Sequence, residues 1–235
     1  MFSKSAAFYD ALYGWKDYWQ EAAALRALIQ PRQRSPGNAL LDVACGTGAH
    51  LAQLGAHYRV EGLDLDENIL SLARQRLPEV VFHRGDMADF DLGREYDVVT
   101  CLFSSIGYVK TVPRLRQTAA NLARHLKPGG VLAVEPWLPP EAFTPGQPHA
   151  LFVDQPGLKV CRMNVSAIDH GVSVLHFHYL VATPAGVEHF TERHELGLFT
   201  QAEYLAAFQL AGLSLEYDDR GLMGRGLYLG VKPAA

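Results

Sequence analysis

The chain has 235 residues, of which 21 are basic and 25 acidic, and a net charge of −4. This length suffices for one α/β domain with an insert and is too short for two ordinary domains. The sequence has no cluster of basic residues, which argues against a nucleic-acid partner. Its three cysteines, Cys45, Cys101 and Cys161, are widely spaced among apolar residues, which favours reduced thiols and a cytoplasmic location.

No stretch of the sequence has the length of a signal-peptide core or of a membrane span, so we expect neither processing nor a membrane partner. The first segment places aromatic and aliphatic residues at helical spacing, namely Phe8, Leu12, Trp15 and Trp19. Short aliphatic runs then alternate with helical segments or polar loops, near residues 39–43, 58–64, 80–83, 96–102 and 131–135. This alternation predicts an α/β fold with a doubly wound parallel sheet. The clearest helix is predicted to begin at Thr111.

Residues 149–198 contain alternating runs and no convincing helix, which predicts an antiparallel insert after the fifth strand. Within it, Phe177 and Tyr179 are predicted to face the core, and His176 and His178 the opposite side. These histidines could be an edge pair or half of a metal site. Because no Cys or acid lies at ligand spacing, we expect no metal. A further helix is predicted at Thr200, where Glu203 completes a capping box, and two strands follow near 214–217 and 227–231.

The run "LLDVACGTGAHL", residues 40–51, forms the first strand-to-helix turn. Gly46 and Gly48 would let the backbone approach a ligand there. A dinucleotide fold would have a third glycine where this chain has Leu51, which argues against a hydride-transfer cofactor. Asp42 and Ala44 precede the glycines, and an acid beside bare backbone amides suits a ligand with an ammonium group.

Two further acids follow the next two strands. Asp64 lies 18 residues after Gly46, the distance at which such folds place a carboxylate on a ribose. Asp86 could accept from an exocyclic amine, and Met87 could cover a purine ring. Adenosine with an amino-acid tail and no phosphate indicates S-adenosylmethionine as cofactor, with Leu65 and Leu102 as additional contacts. The alternative is that Asp64 and Asp86 only cap helices.

This order of D-x-A-C-G-T-G, an acid after the second strand and G-D-M after the third resembles class I methyltransferases. The stretches "GDMADFDLG", "FSSIGYVK", "LKPGGVLAVEPW", "HFHYLVA", "LFTQAEYLAAFQLAGL" and "MGRGLYLGV" look like the N,N-dimethyltransferases that act on the 3-amino group of dTDP-linked deoxysugars in macrolide biosynthesis. The resemblance implies a mixed seven-stranded Rossmann-like sheet in a single domain, residues 1–235. It also implies an N-terminal helical lid over residues 1–30, an insert over the active site at residues 149–198, and a homodimer.

The resemblance also implies roles for individual residues. Tyr108 matches a position beside the acceptor amine, and His178 and Arg225 match positions that contact the nucleotide-sugar. Tyr13 and Tyr18 match the lid over the cofactor. Two departures leave the sugar open: the family's "GRGKDY" is shortened here to "GWKDY", and its "PSGRG" reads "LMGRG".

Two residues after the fifth strand are also candidates. Glu135 could bind or deprotonate an ammonium or simply cap the strand, and Trp137 is expected to form a pocket wall. The leading hypothesis is direct in-line methyl transfer to the amine of a dTDP-linked amino sugar, with Tyr108, Glu135 or His178 assisting proton removal. The alternatives are methylation of another small amine or hydroxyl, and a protein that binds S-adenosylmethionine without turnover.

Overall fold

The computed structural model describes residues 4–234 and contains two β-sheets flanked by six α-helices. The strands are β1 Ala39–Val43, β2 Arg59–Asp64, β3 Val81–Arg84, β4 Tyr96–Cys101, β5 Leu126–Val134, β6 Pro148–Gln155, β7 Leu158–Asp169, β8 Val172–Thr183, β9 Gly186–Gly197, β10 Ser214–Asp218 and β11 Leu227–Val231. The helices are α1 Tyr9–Leu12, α2 Tyr18–Ile29, α3 Ala49–Leu54, α4 Glu67–Arg76, α5 Val112–Arg124 and α6 Gln201–Leu210. Short 3₁₀ helices cover Ser5–Phe8, Ser105–Val109 and Pro140–Ala142.

The larger sheet has seven strands in the order β10-β11-β5-β4-β1-β2-β3. Strands β1 to β5 are parallel, β11 runs antiparallel to β5, and β10 runs antiparallel to β11. Every residue of β4 is buried, because helices cover both faces of a parallel sheet. Neighbouring residues of β1 accordingly enter different cores: Leu40 joins one apolar cluster and Leu41 the other. The predicted mixed seven-stranded sheet is confirmed.

The second sheet is antiparallel and has four strands in the order β6-β7-β8-β9. It follows β5, as predicted for the insert. Its inner face packs on Leu12 of α1 through a third apolar cluster made of Val153, Val160, Tyr179, Val181 and Phe190. Its outer face carries apolar side chains that are about half exposed or more, namely Phe152, Met163, Val165, Leu180 and Val187.

The residues at helical spacing in the N-terminal segment are divided among a 3₁₀ helix, two α-helices and the turn that joins the α-helices. The chain leaves α1 after Leu12 and begins α2 at Tyr18, where the Asp17 carboxylate accepts a hydrogen bond from the Gln20 amide at 2.9 Å. Trp15 lies between the two helices and is 62% exposed, and Trp19 lies in α2 and is 68% exposed.

The two helices predicted from capping signals are confirmed. Thr111 caps α5, and Thr200 and Glu203 form a complete capping box at α6. Gly212 follows α6 at φ 82°, a left-handed conformation that suits glycine. All three cysteines are free thiols, and no helix within residues 4–234 is long and apolar enough to cross a membrane.

The capping box of α6 gives a test of the fold. The Thr200 hydroxyl accepts from the Glu203 amide at 3.2 Å, so Thr200→Ala should lower the free energy of unfolding by about 1 kcal/mol. Thr200→Ser keeps the hydroxyl and should stay close to wild type. Urea denaturation followed by circular dichroism measures both, and an alanine variant as stable as wild type would contradict the cap's contribution.

Candidate active site

A cavity of about 580 Å³ lies at the carboxyl ends of the parallel strands. The loops after β1 to β5 form one side of it, and the inner face of the insert sheet contributes Arg162, Leu175, Phe177, Tyr179, His194 and Leu196. A small pocket of about 30 Å³ shares Tyr9, Ala44, Gly46, Phe103 and Ser105 with this cavity. This is the edge of an α/β sheet at which ligands bind.

The turn after β1 has an unusual backbone. Ala44, Gly46 and Gly48 all have positive φ, at 58°, 57° and 74°. The Gly46 amide donates to the Asp64 carboxylate at 2.9 Å, and Gly46 lines both the cavity and the small pocket. Gly48 differs from the prediction, because a Cβ there would meet Leu77 and Phe82 rather than a ligand. Gly48 is the N-cap residue of α3 and adopts the left-handed conformation that glycine tolerates.

Asp42 lies in the wall of the small pocket together with Tyr18 and Leu102. Its side chain is buried and accepts a hydrogen bond from the Thr100 hydroxyl at 2.7 Å. Burial raises the pKa of this carboxyl to about 6, although His50 and the Thr100 hydrogen bond favour the charged form. Burial disfavours the negative charge of this carboxylate, so a cationic group of a ligand would stabilise it.

The predicted contacts after β2 and β3 line the main cavity, namely Asp64, Leu65, Asp86 and Met87. The two oxygens of Asp64 accept hydrogen bonds from the amides of Gly46 and Asp66, at 2.9 and 3.0 Å. Burial raises its pKa in spite of these bonds. One Asp86 oxygen accepts from the Arg114 guanidinium at 2.7 Å. Each carboxylate oxygen has a second lone pair for a ligand hydroxyl or amine.

Arg225 and Trp137 form another part of the cavity wall. The Arg225 guanidinium donates to the Ser104 hydroxyl at 2.9 Å and lies over the Trp137 ring at 5.1 Å. The indole nitrogen of Trp137 donates to the Ser173 hydroxyl at 2.9 Å. These contacts fix a cation at the surface of the cavity, where its free nitrogens can bind an anionic group.

Arg162 was missed by the sequence analysis. Its guanidinium donates to the Tyr13 hydroxyl at 3.0 Å and lies over the Phe177 ring at 4.6 Å. Tyr13 also lines the cavity. The available signal was the alternation in β7, because Arg162 shares the inward face with buried Val160. A charge on the inner face of a strand indicates a polar cavity.

Tyr108 also lines the cavity, from the 3₁₀ helix Ser105–Val109. Burial holds its pKa well above the ordinary value, and its hydroxyl lies 2.7 Å from Nδ1 of His194, within hydrogen-bond distance. His194 was also missed. In β9, Glu192 and His194 alternate with exposed residues and are themselves buried, which places two ionisable groups on an otherwise apolar inner face.

His178 is placed differently from the prediction. It lies on the exposed outer face of β8, where its Nδ1 is 3.4 Å from Nε2 of His189, while its neighbours Phe177 and Tyr179 face the cavity. The predicted alternation in β8 agrees with the structure. The face with Phe177 and Tyr179, which was predicted to pack in the core, also lines the cavity. His178 therefore does not contact a ligand in this cavity. No metal-binding cluster of three or more His, Cys, Asp or Glu occurs in the described part of the chain.

Glu135 is fully buried and does not line the cavity, which agrees with the structural alternative predicted for it and not with contact to an acceptor amine. Its Oε2 accepts from the Phe103 amide at 2.7 Å. Within residues 4–234 its Oε1 has no hydrogen-bond partner, and burial raises the pKa of the carboxyl. Glu135 thus stabilises the loop after β4 instead of facing a substrate.

Comparison with known proteins shows similarity over nearly the whole chain. A family model described as a methyltransferase domain matches residues 40–130. The chain is 45% identical over 231 residues to the dTDP-3-amino-3,4,6-trideoxy-alpha-D-glucopyranose N,N-dimethyltransferase of Streptomyces venezuelae, a match that covers 96% of this chain and 97% of that protein. It is 40% identical over 230 residues to the dTDP-4-amino-2,3,4,6-tetradeoxy-D-glucose N,N-dimethyltransferase of Saccharopolyspora spinosa, covering 97% and 92%. The structure of CalS10 with bound SAM, an amino pentose methyltransferase from Micromonospora echinaspora, matches with a TM-score of 0.83 and 41% identity over 92% of each chain.

The placement of Glu135 leads to a pH-dependent prediction. Its folded pKa is raised above its unfolded value, so its contribution to stability is present at low pH and declines as the pH rises through the folded pKa. Glu135→Gln resembles the protonated acid and lacks this decline. The unfolding free energy of the variant relative to wild type should therefore increase between pH 4.5 and pH 8, measured by urea denaturation. A difference that is constant or decreases with pH would contradict the raised pKa.

Proposed function

Because this chain belongs to the family of dTDP-linked amino sugar N,N-dimethyltransferases, we propose that it methylates the amino group of a dTDP-linked amino deoxysugar. It is an S-adenosylmethionine-dependent methyltransferase. The observation that carries the proposal is a single cavity that holds both kinds of binding group. The carboxylates Asp64 and Asp86 suit an adenosine, and the guanidiniums Arg162 and Arg225 suit an anionic acceptor.

The residues of the cavity fit S-adenosylmethionine. The buried carboxylate of Asp42 suits the ammonium of its amino-acid tail, Asp64 the ribose hydroxyls, and Asp86 and Met87 the adenine. Tyr18, Leu65 and Leu102 would complete this site. When bound, the cofactor supplies a methyl group on a sulfonium, which is already an excellent leaving group. The chain's own residues therefore have to align the acceptor and exclude water.

The acceptor would lie between the insert and the loops after β4 and β5. Arg225 would bind the diphosphate, with Trp137 and Tyr13 as walls and Tyr108 beside the amine. The relatives named above differ in whether the 3-amino or the 4-amino group carries the methyls, so the position of the amine is part of the test.

We also propose that the protein is a single domain and acts as a homodimer in the cytoplasm, with residues 1–30 as a lid and residues 149–198 over the active site. The apolar outer face of the insert sheet supports the dimer, because a second copy would cover its exposed Phe152, Met163 and Val165. A patch of this kind is typical of an interface with another protein. Analytical ultracentrifugation with Phe152→Glu tests this, and a wild-type monomer at micromolar concentration would contradict it.

The acceptor is tested by calorimetric titration of thymidine diphosphate into protein saturated with S-adenosylhomocysteine. Wild type should bind, and Arg225→Ala should bind about 10- to 100-fold more weakly, because it loses charge-assisted hydrogen bonds to phosphate. Arg220→Ala is the matched control, since this exposed arginine on the same loop does not line the cavity.

Product analysis by mass spectrometry with 3-amino and 4-amino dTDP-sugars then identifies the amine and counts the methyls added. No binding of thymidine diphosphate by cofactor-loaded wild type would move the acceptor to an unlinked small amine or hydroxyl. No S-adenosylhomocysteine formation with any amine would indicate a binding protein without turnover.

Cofactor binding should depend on the protonation of Asp42. A cationic ammonium binds the ionised carboxylate, and the pKa of about 6 means that Asp42 must lose a proton on binding at low pH. The affinity for S-adenosylhomocysteine should therefore rise by about tenfold between pH 5 and pH 7. Asp42→Asn should bind more weakly and without this pH dependence, while the exposed Asp89→Asn should match wild type. An equal pH dependence in Asp42→Asn would exclude Asp42 as its source.

A further inference from the structure

Behind Tyr108, the cavity wall continues into two buried side chains of β9. His194 is 3% exposed and Glu192 is 5% exposed. The Tyr108 hydroxyl is 2.7 Å from Nδ1 of His194, and Nε2 of the same ring is 3.5 Å from Oε2 of Glu192. These contacts form a continuous path from the cavity surface to a buried carboxylate.

The carboxylate at the end of this path is fixed in its charged form. Glu192 accepts hydrogen bonds from the amides of Lys4 and Ser5, each at 3.0 Å, and from the Ser5 hydroxyl. These bonds and His194 outweigh desolvation and hold the pKa of Glu192 at about 2. The low pKa favours the ionised carboxylate near neutral pH.

The position of the Glu192 carboxylate favours one tautomer of the histidine. Because the carboxylate faces Nε2, a neutral imidazole places its proton on Nε2 and its lone pair towards the Tyr108 hydroxyl. The other ionisable groups nearby are engaged elsewhere: Arg162 hydrogen-bonds to Tyr13 and Tyr179, and the Lys4 ammonium pairs with Glu188. The Phe177 ring contacts the edge of His194 at 5.2 Å.

We propose that Tyr108, His194 and Glu192 form a proton relay that removes the proton of the acceptor amine. This rests on the proposed function. An ammonium N–H bond breaks and an O–H bond forms at Tyr108, while the original Tyr108 proton moves to Nδ1 of His194. The lone pair stays on the amine nitrogen, and the resulting imidazolium is stabilised by the Glu192 carboxylate. Tyr108 is the catalytic residue, and His194 and Glu192 are positioning residues that act through it.

The relay is tested by the pH dependence of single-turnover methylation with saturating cofactor and dTDP-amino sugar. His194→Asn keeps an acceptor for the Tyr108 hydroxyl but cannot take up a proton. It should be about 100-fold slower than wild type at pH 7 and approach the wild-type rate at pH 9.5, where the amine has lost its proton unaided. Tyr108→Phe should show the same pH dependence, and Glu192→Gln a smaller loss of about tenfold at pH 7.

Glu188→Gln is the matched control, because it removes a contact between β9 and the N-terminal segment without touching the relay. It should keep the wild-type pH profile, and all variants should keep the wild-type affinity for S-adenosylhomocysteine. If His194→Asn does not fold, Tyr108→Phe and Glu192→Gln provide the same comparison.

Two results would overturn the relay while leaving the proposed function intact: wild-type pH profiles in the relay variants, or a loss of rate that is equal at every pH. The second pattern is that of a purely structural role. Failure of the proposed function looks different, because wild type and Glu188→Gln would then both form no methylated amino sugar. That result would remove the amine substrate and overturn the relay with it.

Discussion

The cavity depends on polar contacts, several of them buried, that hold the N-terminal segment against both parts of the fold. The Lys16 side chain is completely buried, with its ammonium 2.8 Å from Glu21 and over the Phe103 ring at 4.0 Å. A buried ammonium is costly unless it is paired, so these contacts leave this segment little freedom to move away. Asp10 binds the Thr47 hydroxyl at 2.8 Å, and Ser5 binds Glu192 of the insert. The segment thereby joins the parallel sheet to the insert and closes the space between them.

The loop after β4 is the second constraint on the site. Phe103 and Ser104 are consecutive non-glycine residues at φ 52° and 63°, a conformation that costs free energy and persists only where the surroundings enforce it. Glu135 accepts from the Phe103 amide, and the Ser104 hydroxyl donates to the Pro136 carbonyl at 2.7 Å. The same hydroxyl accepts from Arg225, so the strained loop also positions the guanidinium that faces the cavity. Glu135 thus influences the site through the backbone.

The central sheet and the cofactor side of the cavity were predictable from the sequence, because their signals are local. The buried strands β1 and β4 appear as aliphatic runs, Asp64 is the last residue of β2, and Asp86 lies two residues after β3. The acceptor side was harder to predict from the sequence, because alternation in a strand distinguishes its two faces but does not show which face lines a cavity. His178 was assigned to the site from the family resemblance, although it lies on the outer face of β8, and Arg162 and His194 were overlooked. The break between α1 and α2, with Asp17 as the N-cap of α2, was likewise not predicted from the spacing of apolar residues.

The two departures from the family pattern meet in space. Lys16 belongs to the shortened "GWKDY" and Met223 to "LMGRG", and the Lys16 ammonium lies 2.8 Å from the Met223 sulfur. Neither of these two residues lines the cavity, but Trp15 and Arg225 of the same two stretches do. The contact joins the N-terminal segment to the loop before β11. Both stretches lie outside the insert, whose inner face brings Arg162, Tyr179 and His194 to the cavity. The parallel sheet supplies the cofactor side of the cavity, and the insert shares the remaining wall with Tyr13, Tyr108, Trp137 and Arg225.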